Sequence, residues 1–233
     1  MMLKINTICF VCLSLFMAGE NFAGARILSL KGDVKVRRGM EETWQPAAVN
    51  MLLEDMDSIL NGETGSVVLS IDDGRTFYMG GNSILDIADL RRITEQQLFL
   101  YLTARKIRSL DPPAGEKPIR IQNVSTVRAD DRSQTESAST AANDLCAQET
   151  NAALAMAEQA FYPNAVMKMH KILEAHGSIA DKGSLYFYLG RSFEALDDRG
   201  RALEAYQSVL RYATPKQRSF RSEAESAMKR LKQ

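Results

Sequence analysis

Cysteine and histidine are nearly missing from this chain. Three cysteines and two histidines occur in 233 residues, and Cys9 and Cys12 both fall in the apolar N-terminal stretch. Cys146 stands alone in the rest, so no internal disulfide and no spaced set of zinc ligands is available, and stability has to come from packing. Cys146 is read as an ordinary apolar helix residue. His170 and His176 are six residues apart, off a common helix face, which removes a compact two-histidine metal motif and weakens any Ser-His-Asp arrangement. Each is read as a surface or helix-end residue. Net charge is lacking too: 29 basic side chains balance 29 acidic ones, leaving no net field to recruit nucleic acid or an acidic membrane surface. There is no phosphate-binding glycine loop. Asp72-Asp73-Gly74 is far shorter than a calcium loop. Acidic pairs such as Asp130-Asp131 and Asp197-Asp198 sit in turns or polar stretches, where short side chains serve turn geometry. No catalytic residue, cofactor or metal site is expected.

What is present begins with an apolar run from Ile8 to Ala18, preceded by Lys4 and followed by Ala23-Gly24-Ala25. This small-x-small pattern marks an export signal with cleavage after Ala25. The run is shorter than the roughly 20 residues that cross a bilayer, and retention as an anchor is the alternative. Phe10-Val11 before Cys12 does not suit lipidation, which wants a small residue there. The mature protein is thus expected to be periplasmic or secreted, with no stable membrane span.

Residues 26–129 consist of short apolar stretches separated by turn dipeptides, with Gly32-Asp33, Asp73-Gly74 and Gly80-Gly81 between runs such as "GSVVLSI", "RTFYM", "QLFLYLTARKIRSL" and "KPIRIQNVSTVRA". The alternation of β-branched and aromatic residues indicates an all-β domain, sandwich or roll. Asp73-Gly74 suggests a two-residue hairpin loop with positive φ at both positions, which would put Val67, Leu69 and Ile71 on one face. Trp44, the one tryptophan, is expected in the core. Residues 130–144, rich in Ser, Thr and Ala without apolar period, read as a flexible linker.

From residue 145 to 233 the period becomes helical. One stripe holds Ala153, Leu154 and Ala157, and a second after Pro163 holds Ala165, Val166, Met169 and Ile172. Helices at Leu185–Leu196 and Arg201–Tyr212 flank a turn, and the polar "SFRSEAESAMKRLKQ" closes the chain. Ala165 and Ala202 lie 37 residues apart at matching places, a repeat of helical hairpins. In the second unit Gly190 and Ala202 are small enough for close helix approach. Tyr186, Leu189, Phe193, Tyr206 and Val209 fill the space beside them.

These residues resemble the tetratricopeptide pattern of aromatic, Leu-Gly, aromatic, Ala, aromatic and small residue over about 146–216. The first unit departs from it, with Ala152-Ala153 at the Leu-Gly positions and Met156 and Met169 for aromatics. The resemblance implies stacked hairpins, a polar capping helix and a protein-binding groove lined by residues such as Tyr188 and Arg191. Residues 27–128 resemble the FecR domain of bacterial envelope proteins, through Gly32, Val34, Val36, Trp44, Asp55, Gly65, Asp73, Gly74 and Ser83. The family's closing Arg-Gly-Thr is replaced by Arg128-Ala129-Asp130. The two resemblances together imply a non-enzymatic envelope adaptor that docks through its β half and holds a protein partner in the helical groove. Signal relay of the FecR type, or a structural role bound to cell-wall glycan, are the alternatives.

Overall fold

The computed structural model describes residues 24–108, 132–176, 179 and 181–233. Residues 1–23 of the signal region expected at 1–25, and the stretch "KPIRIQNVSTVRA", expected as a last strand, lie outside the described residues. Gly24 and Ala25 do not, and a cut after Ala25 is at odds with the fold, because both pair in the first strand with Glu54 and Leu53 and Ala25 is buried. Eight strands come first: β1 (Gly24–Lys31), β2 (Val34–Arg37), β3 (Gln45–Pro46), β4 (Leu52–Glu54), β5 (Ser58–Asn61), β6 (Ser66–Ile71), β7 (Thr76–Met79) and β8 (Ser83–Asp86). They form two four-stranded antiparallel sheets, ordered β4-β1-β6-β7 and β3-β2-β5-β8.

Alternation decides which side chains go inward. In β6, Val67, Leu69 and Ile71 are buried and the residues between them are not, as the period of two requires. Leu69 stands opposite Ile27 on β1 and Phe77 on β7. In the other sheet Ile59 stands opposite Val36 and Leu85. All six belong to one buried core. Gly32 and Gly65 let two connections touch backbone to backbone. A Cβ on Gly32, whose φ is +71°, would stand 2.6 Å from the Thr64 carbonyl oxygen, and one on Gly65 would stand 2.5 Å from that of Asp33. No other residue fits there.

Four expectations are corrected. The Asp73-Gly74 turn is wider than two residues: the strands end at Ile71 and Thr76, and of this pair only Gly74 has positive φ. Asp73 instead accepts from the Arg75 backbone amide at 3.0 Å and from Arg75 Nε at 2.6 Å. Trp44 is half-buried rather than core, because it precedes the two-residue edge strand β3, and the Arg37 guanidinium lies 5.2 Å over its ring. "QLFLYLTARKIRSL" is not strand. Its first part lies in helix α1 (Glu95–Arg108), started by a reciprocal cap in which Thr94 N donates to Gln97 Oε1 at 2.9 Å and Gln97 N to Thr94 Oγ1 at 3.2 Å. Leu98 and Leu102, four apart, are its buried residues. The region is therefore mainly, not wholly, β.

The fourth correction concerns the linker. Helix α2 runs from Arg132 to Glu158, so most of 130–144 is helical. Alanine and glutamate in this stretch are good helix formers, and the polar run extends the helix whose apolar stripe starts at Cys146. Cys146 is buried as expected, and burial raises its thiol pKa. Four more helices follow: α3 (Tyr162–Ala175), α4 (Lys182–Ala195), α5 (Arg199–Tyr212) and α6 (Arg218–Leu231). No helix among the described residues is long and apolar enough to cross a membrane.

The β and helical halves are packed together. Gln159, just past α2, pairs its side-chain amide with both backbone groups of Tyr78, donating to Tyr78 O and accepting from Tyr78 N at 2.7 Å each. It thereby occupies the open edge of β7. Phe161 meets Phe77 edge-on with ring centres 5.4 Å apart. Asn164 of α3 donates to the carbonyls of Asp89 and Arg91 at 2.7 and 2.8 Å. Beside it Lys168, only 4% exposed, binds Asp89 at 2.9 Å and Glu149 at 3.6 Å. Burial opposes the charge on Asp89, but Lys168 and Lys171 outweigh it and hold that carboxyl below the usual range. Burial likewise opposes the charge on Lys168, and Asp89 with Glu149 and Asp86 outweighs it and raises the ammonium pKa.

Candidate functional site

Helix α4 has two working faces. Its first turn is capped by Asp181, whose side chain accepts from Ser184 N at 3.3 Å, and the first turn of α5 by Asp198, which accepts from Arg201 N at 3.0 Å. Between the helices, a Cβ on Gly190 would stand 2.6 Å from the Tyr206 ring, so glycine is required for this approach. Leu189, Phe193, Ala202, Tyr206 and Val209 are buried, as is Ala165 in α3. Tyr186 is half-buried and stacks on Tyr212 with ring centres 5.3 Å apart. Tyr206 Oη donates to Glu194 Oε2 at 2.9 Å, and burial together with that bond pushes its phenol well up. The packing residues read from the sequence are thus brought together.

Tyr188 and Arg191, named for a groove, also meet. The Arg191 guanidinium is exposed and lies 5.9 Å from the Tyr188 ring centre. Tyr188 Oη donates to Glu158 Oε1 on α2 at 2.8 Å, and burial with this bond pushes its pKa up to about 12. Around them is a hollow of about 300 Å³, walled by Ala157, Tyr162, Glu194 and Arg230. A second hollow of about 260 Å³ continues it between α4 and α6, past Ser222, Glu223 and Ser226. Arg230 pairs with Glu194 across it, and Phe187 stacks on Phe220 at 4.6 Å beneath. The groove offers aromatic rings, hydroxyls and charges of both signs, which suits an extended chain or helix of mixed polarity. Glu158 and Arg230 belong to it without having been singled out in the sequence. Arg230 sits in the polar last helix, where a solubility cap and a groove wall look alike.

The opposite face of α4 meets α1, α3 and α5 around another pocket of about 260 Å³. Here His170 is corrected: it is buried at 7% exposure, between Tyr101 and Phe193, with ring centres 6.5 and 6.1 Å away. It shares the inward stripe of α3 with Val166 and Met169, which a reading by residue type overlooks. His176 does sit at the end of α3, where Nε2 lies 3.0 Å from Glu149 Oε2. The positions that carry the FecR resemblance have structural places. Val34 is core, Trp44 is at an edge, and Gly32, Gly65, Asp73 and Gly74 shape connections.

No family model and no curated protein matches the chain. A solved structure described as a cell surface anchoring domain is similar over 28% of this chain and 84% of its own, at 26% identity with a TM-score of 0.26. At that TM-score the likeness carries no argument about fold or role.

Proposed function

We propose that this protein is a non-enzymatic, exported adaptor of the bacterial envelope, with a FecR-like half that docks to an envelope component and a tetratricopeptide-like half that holds a protein partner. The observation that carries the reading is the groove around Tyr188 and Arg191, continuous between α2, α4 and α6 and bordered by Glu158, Glu194 and Arg230. Exposed arginine beside aromatic rings is the composition that concentrates binding energy at protein interfaces. The apolar run from Ile8 to Ala18 after Lys4, followed by small residues, supports the location.

The test is affinity capture from envelope extract with the full mature chain, comparing it with the double variant Tyr188→Ala, Arg191→Glu. A partner held by the first and lost by the second, with both folded by circular dichroism, supports the groove. Equal retention by both moves recognition to the β half, and retention on isolated cell-wall glycan without protein partners replaces the adaptor reading with the structural one.

A further inference from the structure

Helix α1 is apolar on two sides. Its inner side holds Leu98 and Leu102 in the core, and Arg105 there pairs with Glu174 of α3 at 2.6 Å. On its outer side Phe99, Leu100 and Ile107 are 60%, 57% and 63% exposed. Leu98 and Leu102 each lie about 200° round the helix from Leu100, whereas Ile107 falls within about 20° of it, two turns on. Ala104, also exposed, sits between Leu100 and Ile107, and Phe99 flanks them. Large apolar side chains scattered singly over a surface need no explanation, but several gathered on one face mark an interaction site.

Positive charge borders this stripe. From Arg91 to Arg108 there are five basic side chains, Arg91, Arg92, Arg105, Lys106 and Arg108, against Glu95 as the one acid. Glu95 lies about 140° round the helix from Leu100, away from the stripe. Arg105 is taken up by Glu174. Arg91, Arg92 and Arg108 are exposed and make no ion pair among the described residues. The chain as a whole is neutral, so the excess is local to α1 and its approach. The backbone there is pinned, because Asn164 donates to the Arg91 carbonyl at 2.8 Å.

The outer side of α1 is a ridge. Phe99, Leu100 and Ile107 line neither the groove nor the pocket beside His170, so no walls stand around them to grip a peptide or a small ligand. Such a ridge fits a surface that yields around its side chains and offers anions at the level of the helix. A bilayer does both, with acyl chains below and phosphates around. Arginine suits phosphate well, since its planar fork donates two parallel hydrogen bonds.

We propose that the outer side of α1 rests on the surface of an anionic lipid bilayer, with Phe99, Leu100 and Ile107 entering the boundary between headgroups and acyl chains and Arg91, Arg92 and Arg108 on lipid phosphates. Three large apolar groups on a 14-residue helix give a reversible, peripheral attachment.

The test is flotation of the full mature chain, without the apolar run Ile8 to Ala18, on vesicles of phosphatidylglycerol and phosphatidylcholine in equal parts, against vesicles of phosphatidylcholine alone. The chain should float with the anionic vesicles, come off as salt is raised, and bind phosphatidylcholine at least about tenfold more weakly. Arg92→Gln with Arg108→Gln should weaken anionic binding about 25-fold, or about fivefold per charge. Phe99→Ser with Ile107→Ser should weaken it at least about tenfold. All four positions are exposed, so the dichroism of both double variants should match the parent's. The proposal is overturned by a chain that stays off the anionic vesicles, which would leave the stripe to a protein partner, by equal binding to the two kinds of vesicle, or by unchanged binding in both double variants. Capture through Tyr188 and Arg191 should survive these substitutions, so a failure here is distinct from a failure of the adaptor reading.

Discussion

The two halves of this molecule solve close packing differently. In the β half the tightest approaches are backbone on backbone, at Gly32 and Gly65, and the core follows from strict alternation along β6. In the helical half the tightest approach is a ring against a bare Cα, Tyr206 on Gly190, and the core follows a 3.6-residue stripe. Their junction adds a third kind of contact: beside the apolar packing of Phe77 on Phe161, Lys168, Asp89, Asn164 and Gln159 join the halves through polar groups. Apolar faces bring elements together with little directional preference, whereas paired buried charges accept one arrangement and penalise others. The junction therefore sets how the groove is oriented on the β sheets.

The sharpest way to break this comparison is Lys168→Ala. It leaves Asp89 buried without its main partner and should cost about 3–5 kcal/mol in urea unfolding. Trp44 lies in the β half, and the six α-helices among the described residues contribute to far-ultraviolet dichroism. In the parent protein the fluorescence and dichroism transitions should coincide. In the variant they should separate. The ion pair also sets a pH window. Asp89 has a folded pKa below its unfolded value, so its contribution is present above about pH 4 and is lost as pH falls through the folded value. Lys168 has a raised folded pKa, so its contribution is present below about pH 10 and is lost as pH rises through the folded value. The pair's own contribution should be flat between these limits and fall at both ends. Total stability should also decline below about pH 6.5, because burial holds the folded His170 pKa down to about 3. The variant should lose the Lys168 dependence while Lys171 still holds Asp89.

Gly190→Val tests the helical packing alone. It drives a side chain into the Tyr206 ring and should cost about 1–3 kcal/mol, read as a lower urea midpoint with Trp44 emission in the folded state unchanged. Gln159→Ala should cost less, about 0.5–1.5 kcal/mol, because the Tyr78 backbone groups it frees lie at an edge that water reaches. Hydrogen exchange should speed up at the Tyr78 amide and not at Leu69. Equal protection at Tyr78 in parent and variant would mean that Gln159 does not guard the β7 edge.

Much of this could be read from the residues in order. The β6 alternation, the Gly190–Tyr206 contact, the capping aspartates at 181 and 198 and the paired Tyr188 and Arg191 all depend on neighbours within one or two elements. Local spacing therefore carries them. Helix α1 was readable in principle, since Thr94 and Gln97 form a cap at the right interval, but its apolar run "LFLYL" satisfies strand and helix periods equally well.

By itself the sequence determined two kinds of element in two regions, which residues face inward on each, and the absence of covalent staples. The tertiary structure alone decided that α2 continues through the stretch without apolar period, that Trp44 stays half outside, that His170 is buried beside a pocket, and that Lys168 is charged in the junction. The physical reason is clearest at Lys168, on which Asp86, Asp89 and Glu149 converge. Burial of a polar or charged group is acceptable only where partners from distant parts of the chain converge on it, and no local pattern records which partners those are.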